Sequence, residues 1–211
     1  MEDVLSVYAR PLDPKRPQVC FDEKLVQLIA ENRRPLPGKA GQPERYDYEY
    51  KRNGTRNLFM FFQPLAGWRH VLVTERRTKI DYAEAMRYLV DELFPDAEVI
   101  VVVQDNLNTH TPASLYEAFE PEEAKRILDR LEFHYTPKHG SWLNMVEIEI
   151  GVLTEQCLDD RIPDESSLKR SIGAWETARN EQKATVNWTF DVAAARNKLQ
   201  RLYPNISISS C

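Results

Sequence analysis

Three stretches of the chain hold carboxylates where their presence needs a physical reason. Asp105 follows directly on Val99-Ile100-Val101-Val102-Val103-Gln104, an apolar, β-branched run of the kind that forms a strand covered on both faces. In open α/β sheets, side chains at the carboxyl ends of such strands line the reactive crevice, although an Asp there can equally begin an Asx turn. Asp22 lies in a second strand candidate between Phe21 and Glu23, where burying a carboxylate is costly unless it is paired or binds a metal. The third stretch, Ser141-Trp142-Leu143-Asn144-Met145-Val146-Glu147-Ile148-Glu149, has Ser141 placed to cap a helix. Its two glutamates stand about 200° apart around a helix, so only one can reach a site shared with the aspartates. Both have apolar neighbours three and four positions away, and periodicity leaves the choice open.

Carboxylates gathered from distant parts of a chain suit hard divalent cations, Mg²⁺ or Mn²⁺, held by oxygen ligands with positions left for phosphate. Among 33 acidic residues, three such carboxylates are not diagnostic by themselves. Asn106, His110, His139 and Asn144 stand beside them in sequence and could orient a carboxylate or phosphate, while Lys138 and Arg33 could contact phosphate. Neither histidine shows metal-ligand spacing. Trp142 reads either as a core anchor or as a platform for a nucleic-acid base.

Strands and helices must bring these residues together. Val19 to Asp22 and Leu25 to Ala30 read as strand, followed by Leu58 to Gln63 and His70 to Thr74 around a Pro64-Leu65-Ala66-Gly67 turn, which makes a short antiparallel meander. Between them Arg33 to Gly54, with Pro35, Pro37, Gly38, Gly41 and Pro43, reads as a loop-rich excursion. Thr78 and Asp81 form a capping box ahead of Ile80, Ala83, Met86, Val90 and Leu93 at helical spacing. After the strand over Glu98 to Gln104 the pattern predicts helix over Ala113 to Leu131, strand over Glu132 to Thr136, and helices over Ser141 to Leu158 and Glu165 to Asn180. Pro11, Pro14 and Pro17 mark residues 1–18 as an extended linker, leaving one domain over residues 19–204 and a tail over 205–211.

With 211 residues, 42% hydrophobic and 29% charged, the chain can bury a full core as one α/β domain. No apolar run nears the roughly 18 to 20 residues that cross a bilayer, and the first residues lack signal-peptide order, so a cytoplasmic protein without membrane contact is expected. Cys20, Cys157 and Cys211 are scattered without the spacing of a disulfide framework or a zinc site. A net charge of −5 runs against a nucleic-acid partner, which normally meets a basic footprint. The distribution softens this, because Arg33 to Arg56 carries seven basic residues against three acidic ones.

The phrase YTPKHGSWLNMVEIEIGVL resembles the third catalytic block of DDE transposases, in the bacterial insertion-sequence branch related to mariner. VVVQDNLNTHTPASLYEAF resembles the block with the second aspartate, and the stretch from VCFDEKLVQLIAENRR to RRTKIDY the block with the first, so the likeness runs from about Met1 to Pro204. The resemblance implies a ribonuclease-H-like fold, a mixed central sheet flanked by helices, and metal-dependent DNA strand cleavage and strand transfer at transposon ends. It implies that Asp22, Asp105 and Glu147 are catalytic and hold two Mg²⁺ (Mn²⁺ in vitro), with Glu149 left as a surface or packing residue. Double-stranded DNA, as transposon ends and target, is the implied partner, with a homodimer on the DNA.

Two features depart from that pattern. Asp105 and Glu147 stand 42 positions apart, longer than is usual in the mariner relatives, with the helical region of Glu117 to Leu131 available to absorb the excess. Nothing before Asp22 can form the helix-turn-helix that reads the transposon ends, so the expectation is a truncated or split product whose first 18 residues resemble the following linker. The alternatives are a catalytically silent remnant acting as an interaction module, against which the three intact carboxylates weigh, and a host nuclease on the same fold, which would need no transposon ends.

Overall fold

The computed structural model describes residues 1–31 and 49–203. Arg33, most of the loop-rich excursion and the tail over 205–211 lie outside the described residues. Five strands, β1 (Gln18–Glu31), β2 (Tyr50–Gln63), β3 (Trp68–Thr74), β4 (Ile100–Gln104) and β5 (Leu131–Tyr135), form one sheet in the order β3-β2-β1-β4-β5. β1, β2 and β3 make the antiparallel meander, and β4 and β5 join in parallel to β1 and to each other. Parallel neighbours need crossover connections, and the helical segments that precede β4 and β5 supply them.

The helices are α1 (Glu2–Tyr8), α2 (Lys79–Tyr88), α3 (Pro112–Ala118), α4 (Pro121–Leu128), α5 (Val146–Cys157), α6 (Glu165–Glu181) and α7 (Val192–Lys198). Side-chain alternation along the strands divides the core in two. Cys20, Met60, Phe62, Val101 and Val103 point to one face and pack with Val146, Ile150, Leu153, Leu168 and Ile172 of α5 and α6. Val19, Phe21, Phe59, Phe61, Ile100 and Val102 point to the other and pack with Tyr82, Met86, Leu115, Ala124 and Ile127 of α2, α3 and α4. A strand covered on both faces reads as an unbroken apolar run, which is why every residue of β4 is buried. No helix among the described residues is long and apolar enough to cross a membrane.

The Thr78–Asp81 capping box forms, with Asp81 N–H donating to the Thr78 side chain and Thr78 N–H to Asp81. Several elements differ from the sequence reading. Residues 1–18 are not extended throughout: the prolines begin only at Pro11, and ahead of them α1 buries Val4, Leu5 and Val7. The single helix expected over Ala113 to Leu131 breaks at Phe119 and Glu120, whose extended backbone is what a following Pro121 favours. Tyr50 to Gly54 belong to β2 rather than to a loop. Ser141 opens a 3-10 turn over Ser141–Leu143 instead of capping a long helix, and α5 starts at Val146 without a side-chain cap.

One buried ion cluster ties α5 and α6 to the edge strand. Glu149 falls on the inward stripe of α5 with Val146, Ile150 and Leu153. Arg179 Nε and Nη2 of α6 donate to its two oxygens at 3.0 Å each, and Arg69 Nε of β3 lies 3.0 Å from Oε1. The two terminal nitrogens of the fully buried Arg69 guanidinium donate to the carbonyls of Gly67 and Ala184 and to the Asn180 side chain, while Nε meets Glu149 at ion-pair distance without a hydrogen bond's alignment. Gly67 takes φ +63° at the β2–β3 turn, where a Cβ would lie 2.4 Å from the Lys183 backbone, so no larger residue fits. Removing one member of a buried ion cluster leaves the others desolvated and uncompensated. Glu149→Ala is therefore expected to lose about 3–5 kcal/mol in urea denaturation, whereas the exposed Glu147→Ala should change stability by no more than about 0.5 kcal/mol.

Candidate active site

The site forms where one strand stops beside another that continues. β1 and β4 pair in parallel with Gln18 opposite Val101, Val19 opposite Val102 and Cys20 opposite Val103. Two residues beyond the last pair on each strand stand Asp22, which alternation turns to the sheet face that carries α5, and Asp105, just past the end of β4. β4 ends there because Asp105 turns the chain: its Oδ1 accepts from Leu107 N–H at 3.0 Å, an Asx turn, while β1 runs on to Glu31. The turn and the candidate active-site role thus belong to the same residue.

Glu147 arrives in the first turn of α5, exposed, on the side of the helix away from Glu149. Three contacts hold the start of that helix against the sheet. Asn144 Nδ2 donates to Phe21 O at 2.9 Å, directly before Asp22. Tyr8 of α1 donates its hydroxyl to Leu143 O at 2.8 Å, and Met145 N–H donates back to that hydroxyl at 3.4 Å. Leu5 packs on Leu143 from the same side. Asn144 is thus a buried tether between β1 and the glutamate helix, not a side chain free to meet DNA.

The two aspartates sit in contrasting electrostatic surroundings. Burial, followed by the nearby charges of Asp105, Glu23 and Glu147, pushes the Asp22 carboxyl up to about 7, and its hydrogen bond from Glu23 N–H only partly offsets this. Among the described residues no cationic side chain pairs with Asp22. Burial raises Asp105 too, but hydrogen bonds from His110 and Leu107 N–H outweigh it and hold this carboxyl below its ordinary value. His110 Nδ1 lies 2.6 Å from Asp105 Oδ1, and its Nε2 lies 2.9 Å from Glu23 Oε2. Burial by itself lowers His110, yet these two carboxylates carry it up to about 9.

Asn106, exposed, donates its side-chain amide to Thr136 O and so ties the loop after β4 to the loop after β5. Lys138 and His139 are exposed on the turn ahead of α5, with His139 at φ +63° and Gly140 N–H closing the turn on Pro137 O at 2.8 Å. Trp142, 49% exposed, packs edge-on against Phe190 and leaves much of its ring to solvent. Among the described residues, no group of three or more His, Cys, Asp or Glu side chains already closes around a point that could hold a metal ion.

The sequence profile of the DDE superfamily endonucleases matches residues 17–169 of this geometry. The chain belongs to that superfamily. Comparison with curated proteins gives no match. Among solved structures, the chain is similar to Mos1 in the crystal structure of its strand transfer complex, with a TM-score of 0.58 at 16% identity over 86% of this chain and 53% of that one. It is also similar to the Mos1 transposase in a paired-end complex with the left transposon end, with a TM-score of 0.42 at 18% identity over 86% of this chain and 58% of that one. The HTLV-2 integrase catalytic core domain in complex with magnesium matches with a TM-score of 0.43 at 12% identity over 77% of this chain and 86% of that one. The first of these likenesses shows a ribonuclease-H-like fold, and the chain spans about half the length of the Mos1 chains it matches.

In this DDE superfamily member the residue that sequence reading passed over is Glu23. Strand alternation turns it to the face opposite Asp22, where its side chain is almost fully buried against His110. The only sequence signal was two acidic residues in succession within an apolar strand. The raised Asp22 has a stability consequence whose sign follows from linkage. A folded-state value above the ordinary 3.8 means the folded protein holds this proton more tightly, so stability falls as pH climbs from about 4 through about 7. In EDTA, Asp22→Asn should match the parent in thermal and urea melts near pH 4 and exceed it by about 2–4 kcal/mol at pH 8.

Proposed function

We propose that the chain is the catalytic domain of a transposase, cutting DNA at transposon ends and joining the freed ends to target DNA. The observation that carries this reading is the meeting of Asp22 and Asp105 at adjacent strand positions with Glu147 in the first turn of the overlying helix, so that the charges of both other carboxylates bear on Asp22. Membership of the DDE superfamily endonucleases and the Mos1-like fold support it.

Asp22, Asp105 and Glu147 offer only oxygen donors, the set that hard divalent cations such as Mg²⁺ take. Asp22 fits such a role because it is buried and raised with no cationic side chain beside it among the described residues, a cost that a bound cation would offset. When bound, a pair of such ions supplies an activated oxygen nucleophile and neutralises charge on the leaving oxygen. The chain's own residues then have separate tasks. Asp105 enters already ionised, Asp22 gives up its proton, and Glu147 reaches in from an exposed position on a helix that Asn144 and Tyr8 hold in place.

In the first step a water gives up a proton as its oxygen attacks phosphorus, the P–O3′ bond breaks, and the departing 3′ oxygen takes up a proton. In the second, that 3′ hydroxyl loses its proton, attacks a target phosphodiester and displaces the target's own 3′ oxygen, which takes up a proton in turn. Asn106, directly after Asp105, and Lys138 and His139, on the turn ahead of α5, are exposed and can meet the DNA backbone. Two transposon ends must be held together, so the working form is a homodimer assembled on DNA.

The test is Mn²⁺-dependent strand cleavage of a duplex carrying the transposon end, run for the parent chain and for Asp105→Ala. The expected result is cleavage by the parent and a loss of more than about 100-fold in the variant. Absence of cleavage by the parent at saturating Mn²⁺ would overturn the reading.

A further inference from the structure

We propose that Glu23 and His110 are positioning residues for Asp105, fixing which of its oxygens faces the site. This inference rests on the metal-dependent reading above and extends it to two side chains on the opposite face of the sheet.

Asp105 lies past the end of β4, where no ladder holds it, so its side-chain orientation must come from its own contacts. Oδ1 accepts twice, from Leu107 N–H at 3.0 Å and from His110 Nδ1 at 2.6 Å. Oδ2 takes no part in either contact and remains for a ligand. The His110 ring cannot turn away. It stacks on Tyr82 with centroids 4.9 Å apart, meets Phe21 edge-on at 5.4 Å, and its backbone is held by Leu107 O and by the Gln104 side chain. Tyr82 in turn donates its hydroxyl to Gln104 Oε1 at 3.0 Å.

Glu23 completes the arrangement from the far side of the ring. Its Oε2 lies 2.9 Å from His110 Nε2, and its Oε1 accepts from Arg77 Nη1 at 3.1 Å. The Glu23 and His110 side chains are 4% and 1% exposed. Charge buried to that extent is kept only where it is paired, and here the pairing runs from Arg77 through Glu23 and His110 to one oxygen of Asp105. Nδ1 of the ring faces Asp105 Oδ1 at hydrogen-bond distance, whereas the 2.9 Å contact of Nε2 with Glu23 Oε2 is an ion-pair contact without hydrogen-bond alignment, so Glu23 bears on the ring by charge and close contact. Carboxylates that orient a histidine, and groups that orient a metal-ligating carboxylate, commonly set metal affinity from outside the ligand shell.

The test measures Mn²⁺ affinity by electron paramagnetic resonance for the parent chain, Glu23→Gln, His110→Gln, His110→Asn and Glu23→Gln combined with His110→Gln. Thermal melts on the same samples establish that each is folded. Glu23→Gln and His110→Gln are expected to bind about 10- to 100-fold more weakly. The combination should lose well short of the sum of the two single losses, because Glu23 reaches Asp105 through the ring and its charge on Asp22 is only a second, smaller path. The side-chain amide of His110→Asn places a donor near the Nδ1 position, whereas that of His110→Gln reaches toward the Nε2 position. His110→Asn should therefore recover most of the affinity that His110→Gln loses, although both disturb the same packing.

Unchanged affinity in folded variants, additive losses in the combination, or equal losses for Asn and Gln would each overturn the proposal. Should the His110 variants not fold, unchanged affinity in Glu23→Gln, the same shape as the parent residue, still overturns the proposal. A parent chain that binds no Mn²⁺ and cuts no DNA is a separate outcome, read before any variant, and removes the function and the positioning role together.

Discussion

Three residue pairs of parallel ladder between β1 and β4 are the constraint on which the rest of the site depends. They set the two strands in a register that leaves Asp22 and Asp105 side by side just beyond the last pair. The ladder holds because the backbone continues it upstream, where Val101 N–H donates to Pro17 O at 2.9 Å and Glu98 N–H to Lys15 O at 2.8 Å. It stops because the Asp105 side chain takes Leu107 N–H into an Asx turn. A one-residue slip would send Asp22 to the opposite face of the sheet, into the place of Phe21 against Tyr82 and His110.

Placing the glutamate beside this pair is a problem of helix anchoring. α5 has no side-chain cap, so its start is held from outside: Asn144 fastens it to β1, Tyr8 fastens it to α1, and Glu149 locks its inner face to β3 and α6. A helix with Glu149 pinned by two guanidinium groups cannot rotate, and Glu147, about 200° away, is thereby held toward the solvent side. The seven-residue helix at the start of the chain thus bears directly on the candidate site, since Tyr8 reaches both Leu143 O and the Met145 amide.

Buried charge is treated in three ways within this one domain. Glu149 has two arginines and is fully satisfied. His110 has a carboxylate at each nitrogen. Asp22 has a single backbone N–H against burial and three like charges, which push its carboxyl up to about 7. The first two are paired with their neighbours, and the cost left at Asp22 is what the proposed cation would offset.

Much of the strand order was legible because its signals are local. The β-branched run of β4, the Thr78–Asp81 capping box and the Pro64–Gly67 turn each act within a few residues, and each forms as read. The candidate carboxylates were picked out by types and spacing within a quoted phrase, which need no knowledge of the fold. Local signals failed where neighbours decide. Helix α1 is too short to hold by propensity and exists because Val4, Leu5 and Val7 find a core, which three later prolines conceal. The long helix expected over Ala113 to Leu131 was split by the conformational demand of Pro121 on the residue before it. Residue types alone could not separate Glu147 from Glu149, because both have apolar neighbours and the difference lies in Arg69 and Arg179, 80 and 30 positions away in the chain. Nor could they reveal that Glu23 and His110 meet. The sequence by itself determined which groups were available and which elements would carry them; only the tertiary structure decided which would be paired with each other and which left free, because pairing of buried charge depends on contacts between distant segments.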